Sequence, residues 1–291
     1  MEFYLKEDDI INKDYYVESN AVAQKSAPSF KKSDVDYGYK PTNKENDNTY
    51  AVIIANESYT NEDVPSVPFA NNDGQIFSEY CLNLLGLPQK NIRVLSNATK
   101  SQLSQQLKWL SRICEASNGE ANVIFYYAGH GIPDDATKTS YLLPSDGDAK
   151  DSSTGFKLDD LYKSLGSMGA KSVVVFMDAC FSGAGLEAMS RGIRIKPKEG
   201  IIPNGKNMVV FSATQGDERS YPYKEESHGL FTYFLLKKLK DSNGKINLGD
   251  LADYLSSTVK LESVKINNKM QTPLIQSQVA DDSWKKWKLC K

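Results

Sequence analysis

The sequence has few histidines, no closely spaced cysteines and no long apolar runs. No window approaches the ~18 consecutive apolar residues that a membrane-spanning helix needs, so we predict no membrane span. The two histidines and four scattered cysteines form no C-x-x-C pair or similar ligand pattern, which argues against a zinc site. A formal net charge of -2 provides no positive field for a phosphate backbone, so binding to nucleic acid is not expected.

The amino terminus lacks the features of an export signal. MEFYLKEDDIINKD has acidic residues where a signal peptide carries a basic segment followed by an apolar run. We therefore predict no signal peptide in this chain. The localisation stays open, because a cytoplasmic protein and one exported from a longer precursor are both compatible with this sequence.

Two regions of different character make up the chain. Residues 1–48 are polar, end in KPTNKENDN and show no apolar periodicity, which predicts an extended arm and a linker. Over residues 49–291, short apolar runs alternate with amphipathic segments, as in βαβ units built on a parallel sheet. We predict one α/β domain there, with a mostly parallel sheet of about six strands and helices on both faces.

The periodicity of apolar residues locates the individual elements. Five apolar runs predict strands: Tyr50–Ala55, Asn91–Leu95, Ala121–Ala128, Ser172–Asp178 and Met208–Ala213. Helical spacing predicts five helices: Gly74–Leu85, Leu103–Cys114, Leu158–Met168, Gly229–Lys240 and Leu248–Val259. Thr99 and Gln102 fit a capping box, and Cys81 and Cys114 fit small buried apolar positions.

The tail beyond Asn267 carries two tryptophans among lysines. Trp284 and Trp287 have the spacing of one amphipathic helical face. We predict that this face packs against the domain, and contact with a membrane surface or a partner is the alternative.

Two predicted strands end in turns rich in small residues. YYAGHG places His130 between two glycines, and MDACFSG places Cys180 just after a strand. Side chains that follow the carboxyl ends of neighbouring parallel strands converge on one edge of the sheet. The two residues are therefore expected to meet there.

A cysteine beside a histidine forms a nucleophile and its base. A thiol with a pKa near ~8.5 is mostly protonated at neutral pH, and an adjacent imidazole takes its proton to give a thiolate that attacks a carbonyl carbon. The imidazolium then protonates the leaving amine. We assign the oxyanion hole to the backbone amides of Gly131 and Cys180. The alternative for Cys180 is an inert buried thiol, and His228 is expected to cap or pack a helix.

The two turns together resemble the caspase/metacaspase superfamily. A strand followed by GHG and, 50 residues later, a strand followed by DACFSG is the pattern that carries the resemblance. It extends from Tyr50 to Val259 and includes FANND, VVFSATQGDE and SHGLFTYFLLKKL, the last similar to a helix common in bacterial members. The resemblance implies a caspase-like three-layer α/β/α sandwich. It also implies a cysteine endopeptidase that acts on peptides or proteins through a thioester acyl-enzyme, without a required cofactor. We expect a monomer, as metacaspases more often are.

The form DACFSG resembles metacaspases in particular. This resemblance implies an acidic S1 pocket lined by Asp73 and Asp178, and Ser212 is expected to add a hydroxyl. Two carboxylates in a confined cleft favour Arg or Lys at P1 and disfavour Asp. The alternatives are that Asp73 caps the helix beginning at Gly74 and that Asp178 only supports the site by hydrogen bonding.

Calcium is the one metal that the resemblance suggests, because metacaspases are often activated by it. The acidic stretch PDDATKTSYLLPSDGDAKD offers hard oxygen ligands in loops. The candidate ligands are Asp134, Asp135, Asp146, Asp148 and Glu187. Their spacing is not that of an EF-hand, and the alternative is that they are solvated loop acids.

A basic segment, MSRGIRIKPKEGIIPNGK, follows the predicted nucleophile. It occupies the place where caspase-like zymogens are processed, and loop tips of this composition are accessible to proteases. We predict self-cleavage in the 187–208 loop, after one of four basic residues: Arg191, Arg194, Lys196 or Lys198.

Two rival functions use the same residues. One is a catalytically silent caspase-like module that holds a peptide in the cleft. The other is a different thiol hydrolase or amidotransferase that acts on small amides. Labelling of Cys180 by a substrate-like reagent separates the enzyme from the binding module, and a panel of peptide substrates exposes the amidotransferase.

Overall fold

A six-stranded sheet lies at the centre of the computed structural model, which describes residues 32–134, 137, 139–179, 181, 207–215, 218–277 and 279–290. The strands of these residues are β1 (Thr49–Ala55), β2 (Ile92–Ser96), β3 (Asn122–Ala128), β4 (Gly131–Pro133), β5 (Ser140–Leu142), β6 (Phe156–Lys157), β7 (Ser172–Asp178), β8 (Met208–Ser212), β9 (Pro222–Tyr223), β10 (His228–Gly229) and β11 (Leu274–Ser277).

The central sheet has the strand order β11-β8-β7-β3-β1-β2. All pairs are parallel except β11 with β8, which is antiparallel. The strands β1, β3, β7 and β8 are buried almost throughout because their side chains are apolar on both faces. The prediction of a mostly parallel sheet of six strands is confirmed.

Helices cover both faces of this sheet. They are α1 (Ala70–Glu79), α2 (Lys100–Ala116), α3 (Leu158–Ser167), α4 (Leu230–Asp241) and α5 (Leu248–Asn267). The helices α1, α4 and α5 contribute to one apolar core, and α2 and α3 contribute to the core on the opposite face. The layers therefore form the predicted α/β/α sandwich. The capping box of Thr99 and Gln102 is present at the start of α2, as predicted.

The first helix begins earlier than its sequence indicated. It starts at Ala70 rather than Gly74, and it continues into a π-helical turn at Tyr80–Leu84. Near its start, the Asn71 N–H donates to a carboxylate oxygen of Glu57 at 3.0 Å, so a preceding acidic side chain satisfies one of the free amides of the first turn. Asp73 therefore lies inside the first turn, and the alternative role that was considered for it, as the helix cap, is wrong.

Two small sheets lie beside the carboxyl edge of the central sheet strands. The strands β4, β5 and β6 form a three-stranded antiparallel sheet, and β9 and β10 form a short ribbon. The acidic stretch at residues 133–151 was interpreted as loops, and the three-stranded sheet to which it contributes was not predicted. Its strands have three, three and two residues, which is too short for an alternating pattern to be recognised.

The tail packs against the domain, but not as one helix. Leu274–Ser277 pairs with β8 at the edge of the sheet, and a 3-10 helix follows at Ala280–Lys286. The Trp284 ring is buried and lies 6.2 Å from the Phe211 ring. The prediction of packing is therefore confirmed and that of one helical face is wrong. No helix among the described residues is long and apolar enough to span a membrane.

The segment 32–48 lies against the domain, although its polar sequence predicted a linker. Val35 is fully buried, and its carbonyl accepts a hydrogen bond from the Tyr80 hydroxyl at 2.6 Å. The Thr42 N–H donates to the Asn83 carbonyl at 2.7 Å. These contacts join the end of the predicted arm to the π-helical turn that follows α1.

Candidate active site

The register of β3 and β7 places the two predicted turns at the same edge. Ala128 pairs with Asp178, and the Gly129 N–H donates to the Asp178 carbonyl at 3.3 Å. In the sequence, His130 comes two residues after Ala128, at the end of β3, and Cys180 comes two residues after Asp178, at the end of β7. Cys180 itself lies outside the described residues.

A cavity of about 230 Å³ opens at this edge. Its lining includes His130 from the end of β3, Asp178 and Ala179 from the end of β7, Asp73 from α1 and Gly229 from β10. Three of the predicted site residues, His130, Asp178 and Asp73, thus line one pocket, and Ala179 is the residue directly before Cys180.

The His130 imidazole is buried and fixed in one tautomer. Its Nε2 lies 2.8 Å from the Pro65 carbonyl oxygen, which can only accept, so Nε2 carries the proton. Burial lowers the pKa of His130, and the bond to Pro65 opposes this shift without reversing it. The ring is therefore neutral near pH 7, with an unprotonated Nδ1 able to take a proton.

Tyr59 holds the same histidine from the other side. The backbone N–H of His130 donates to the Tyr59 hydroxyl at 2.9 Å, and the centroids of the two rings lie 5.2 Å apart. The preceding Gly129 has no room for a side chain, because a Cβ there would lie 2.7 Å from the Tyr127 hydroxyl. The GHG turn is therefore packed tightly around its histidine.

The Gly131 amide is left unused by the small sheet. The Leu143 N–H donates to the His130 carbonyl at 3.0 Å, which makes Gly131 and Leu142 a non-hydrogen-bonded pair of the antiparallel ladder. The Gly131 N–H thus points away from β5. This is compatible with the predicted oxyanion hole, whose other amide, that of Cys180, lies outside the described residues.

Asp178 is buried at the end of β7 with both carboxylate oxygens bonded. Oδ1 accepts from the Ser220 hydroxyl at 2.5 Å, and Oδ2 accepts from the Thr232 hydroxyl at 2.7 Å. Burial raises the pKa of Asp178, while these donors oppose the shift. Asp178 lines the pocket and is also held in a hydrogen-bond network, and its role in S1 stays a prediction.

Asp73 is buried next to it and is paired with His228. The Asp73 Oδ1 lies 2.6 Å from His228 Nδ1, and Oδ2 accepts the Gly229 N–H at 2.9 Å. Burial raises the pKa of Asp73 and the nearby Asp178 adds to this, whereas His228 acts to lower it. The pocket therefore holds two carboxylates and, directly behind one of them, a histidine.

Comparison with known proteins agrees with this geometry. The model of the caspase domain family matches residues 48–283. The chain belongs to the caspase domain family. This family consists of cysteine peptidases, so the predicted resemblance is confirmed at that level.

Solved structures show the same fold at low sequence identity. Caspase-1 from Spodoptera frugiperda is 16% identical, with a TM-score of 0.58 over 84% of this chain and 91% of that one. A protein of Geobacter sulfurreducens is 17% identical, with a TM-score of 0.58 over 82% of this chain and 97% of that one. A search of curated proteins returned no significant match.

In this caspase domain, Ser212 is placed differently from its predicted role. It is the last residue of β8, pairs with Met177 and Leu274, and is not among the residues that line the pocket. The hydroxyl beside Asp178 belongs instead to Ser220, which follows in the connection to β9. Because Ser212 pairs with Met177, the residue before Asp178, its side chain lies on the opposite face of the sheet from that of Asp178.

Three of the acidic residues predicted as calcium ligands, Asp134, Asp146 and Asp148, are among the described residues, and each accepts a backbone hydrogen bond. Asp134 accepts from the nearby Thr137 N–H and Asp148 from the nearby Lys150 N–H, whereas Asp146 accepts from the distant Lys100 N–H at the start of α2. Within the described ranges, no group of three or more acidic, histidine or cysteine side chains is placed to hold a metal ion. Asp135 and Glu187 lie outside those ranges, as do the cleavage candidates Arg191, Arg194, Lys196 and Lys198.

His228 was expected to cap or pack a helix, and it does not cap one. The helix α4 begins at Leu230, with Gly229 before it and no side-chain cap. The His228 ring is fully buried, with Nδ1 on Asp73 and Nε2 2.8 Å from Asp36 Oδ1. Burial acts against its charge, but the bonds and charges of the two carboxylates outweigh burial and raise the pKa of His228 to about 9.

This shift predicts a loss of stability at alkaline pH. The folded-state pKa of about 9 lies above the unfolded value of about 6.5, so the stabilisation by the His228 imidazolium is complete below pH ~6.5 and lost as the pH rises through ~9. We expect the free energy of unfolding to fall by about 2 to 3 kcal/mol between pH 7 and pH 10 from this group. Urea titrations of wild type and His228→Gln measure it. An equal fall in both proteins contradicts this assignment.

Proposed function

We propose that this caspase domain is a cysteine endopeptidase that cleaves peptide bonds after Arg or Lys, with Cys180 as nucleophile and His130 as its base. One observation carries the proposal. A single pocket is lined by the His130 imidazole, by Ala179 directly before Cys180, and by the Asp73 and Asp178 carboxylates. This lining supports a cleft in which the base and a site for a cationic side chain lie beside the position that precedes the proposed nucleophile.

The chemistry follows from the state of His130. The unprotonated Nδ1 accepts the thiol proton of Cys180, and the thiolate sulfur bonds to the scissile carbonyl carbon. The imidazolium returns the proton to the leaving amine as the C–N bond breaks, which leaves a thioester. Water hydrolyses the thioester and regenerates the thiol. The Gly131 and Cys180 N–H groups are proposed to bind the oxyanion in both steps.

Preference for a cationic P1 side chain is supported by the two buried carboxylates. A Cβ built on Gly229 would lie 2.5 Å from Asp178 Oδ2 and 3.0 Å from Asp73 Oδ2, so both oxygens flank this glycine. A guanidinium or ammonium that enters the pocket next to Gly229 would reach both. An aspartate there would be repelled by both.

Gly229→Ala is therefore expected to weaken binding of a cationic P1 residue. The added methyl would contact both carboxylate oxygens more closely than van der Waals distance, at a cost of about 1 to 3 kcal/mol. We expect kcat/KM for an Arg-P1 peptide to fall by roughly 10-fold to 100-fold. Alkylation of Cys180 by iodoacetamide, which has no P1 group, should proceed at nearly the wild-type rate. Unchanged kcat/KM would place the P1 side chain elsewhere.

Covalent labelling tests the enzyme against the silent binding module. An Arg-based acyloxymethyl ketone should attach to the wild-type protein and should not attach to Cys180→Ala. The attached peptide should map to Cys180 by mass spectrometry. A protein that binds the same peptide reversibly, without labelling, would be the binding module.

Self-processing is a further part of the proposal. The basic residues of the 187–208 loop, namely Arg191, Arg194, Lys196 and Lys198, match the P1 preference proposed for the pocket. Purified wild-type protein should be cut in this loop during incubation, and Cys180→Ala should stay intact. Cleavage of Cys180→Ala in the same loop, in a protease-free preparation, would refute self-processing.

A further inference from the structure

A buried row of three charged side chains joins the segment before β1 to the P1 pocket. We propose that Asp36 is a positioning residue for P1 recognition, which acts by holding His228 and, through it, Asp73. The inference rests on the proposed function, because Asp73 is taken as part of the S1 pocket. It assigns a specificity role to a segment that precedes the sheet and touches no substrate.

Each nitrogen of the His228 imidazole contacts one carboxylate of this row. Nδ1 of His228 lies 2.6 Å from Asp73 and Nε2 lies 2.8 Å from Asp36. A carboxylate can only accept, so both ring nitrogens carry protons and the ring is an imidazolium. The side chains of His228, Asp73 and Asp36 are 0%, 3% and 9% exposed, so solvent screens these interactions weakly.

Asp73 needs the His228 imidazolium in order to be ionised in the pocket. Asp73 and Asp178 are buried carboxylates that both lie beside Gly229, and Asp178 disfavours ionisation of Asp73. The imidazolium supplies the compensating charge and fixes Oδ1 of Asp73. Oδ2 then stays on the Gly229 N–H, at the wall of the pocket.

The imidazolium in turn needs Asp36, because a charged ring without solvent is costly unless it is fully paired. Asp36 is itself held in a tight turn, where its Oδ2 accepts the Ser33 N–H at 2.8 Å. The neighbouring Val35 is fully buried, and Asp34 pairs with Lys237 at 3.1 Å on α4. The segment 33–36 is thus anchored at several points, and one of them, Asp36, contacts His228.

The test compares Asp36→Asn with Asp34→Asn. Asparagine at 36 keeps the size and an acceptor for Nε2 but removes the charge, whereas Asp34→Asn weakens an anchor of the same segment that does not touch His228. For Asp36→Asn, we expect KM for an Arg-P1 peptide to rise by about 10-fold or more with kcat within about two-fold. The matching citrulline-P1 peptide should show no such rise. Asp34→Asn should behave as wild type on both peptides.

A second measurement does not depend on activity. The chain has only two histidines, so the imidazole NMR signals of His228 can be assigned with a His130→Ala sample. In Asp36→Asn, the pKa of His228 should fall by about 1 to 3 units, and in Asp34→Asn it should not move.

Three results would overturn the inference. One is an unchanged KM for the Arg-P1 peptide in Asp36→Asn although the pKa of His228 has fallen. Another is an equal loss on the arginine and citrulline peptides, which would indicate a structural role only. The third is an equal effect of Asp34→Asn. A lack of preference for Arg or Lys at P1 in the wild-type enzyme would refute the S1 assignment itself. This result would be seen before any variant is made.

Discussion

Cys180→Ala is expected to lower kcat/KM for an Arg-P1 peptide amide by on the order of 10⁴-fold or more, because no thioester can form without the nucleophile. The other cysteines cannot replace it. Cys81 and Cys114 are buried, and burial raises the pKa of both thiols, that of Cys114 to about 11. Fluorogenic hydrolysis at high enzyme concentration measures the residual rate.

The matched control is Cys290→Ala, which should retain wild-type activity. Cys290 is partly buried, and its thiol lies 2.8 Å from the Gly244 carbonyl, which it can donate to. His130→Ala should cost about 10²-fold to 10⁴-fold, and the Cys180/His130 double variant should be little worse than Cys180→Ala alone. Residual activity of Cys180→Ala above about 1% of wild type would mean that another residue is the nucleophile.

Asp178→Asn is expected to remove most of the preference for a cationic P1 residue. Loss of a carboxylate that pairs with a desolvated guanidinium costs about 2 to 5 kcal/mol, which lowers kcat/KM by roughly 30-fold to several thousand-fold. The loss should appear with arginine and lysine at P1, and should be small with citrulline. The ratio of kcat/KM for arginine over citrulline is the measurement.

Asp146→Asn is the control for this experiment, since Asp146 is an exposed loop carboxylate that accepts the Lys100 N–H and does not line the pocket. It should leave the ratio unchanged. Circular dichroism and the rate of Cys180 alkylation establish that Asp178→Asn is folded. A folded Asp178→Asn with the wild-type ratio would contradict the role of Asp178 in S1.

The fold was predictable because its signals are local. The runs that became β1, β3, β7 and β8 are apolar on both faces, and that pattern is typical of interior parallel strands. The edge strand β11 was missed because its side chains are all only half buried, which leaves no alternation to read. The early start of α1 was missed because the Asn71 amide of its first turn is satisfied by Glu57, which precedes the start of the helix by 13 positions.

The site was predictable only where chemistry and a turn coincide. His130, Asp73 and Asp178 were found from short motifs, and all three line one pocket. The groups that orient them were not found. Pro65 acts through its backbone carbonyl, which no sequence pattern marks.

Long-range partners escaped the sequence for a different reason. Ser220 and Thr232 bond Asp178 from 42 and 54 residues away, and Asp36 bonds His228 from 192 residues away. Such pairs depend on how the elements pack, and a polar segment such as 32–48 gives no apolar signal that it packs at all. The SHG sequence before α4 was the one available hint for His228, and it was interpreted as a helix start.

The monomeric state stays a prediction, as do the loop cleavage sites. The central claim is that one caspase domain contains both a Cys–His dyad and an acidic P1 pocket. A panel of fluorogenic peptides that differ only at P1, assayed with wild type and Cys180→Ala, tests it most directly. The account predicts rapid cleavage after arginine and lysine, little after aspartate or neutral residues, and none by Cys180→Ala. Cleavage after aspartate, or turnover that survives Cys180→Ala, would contradict it.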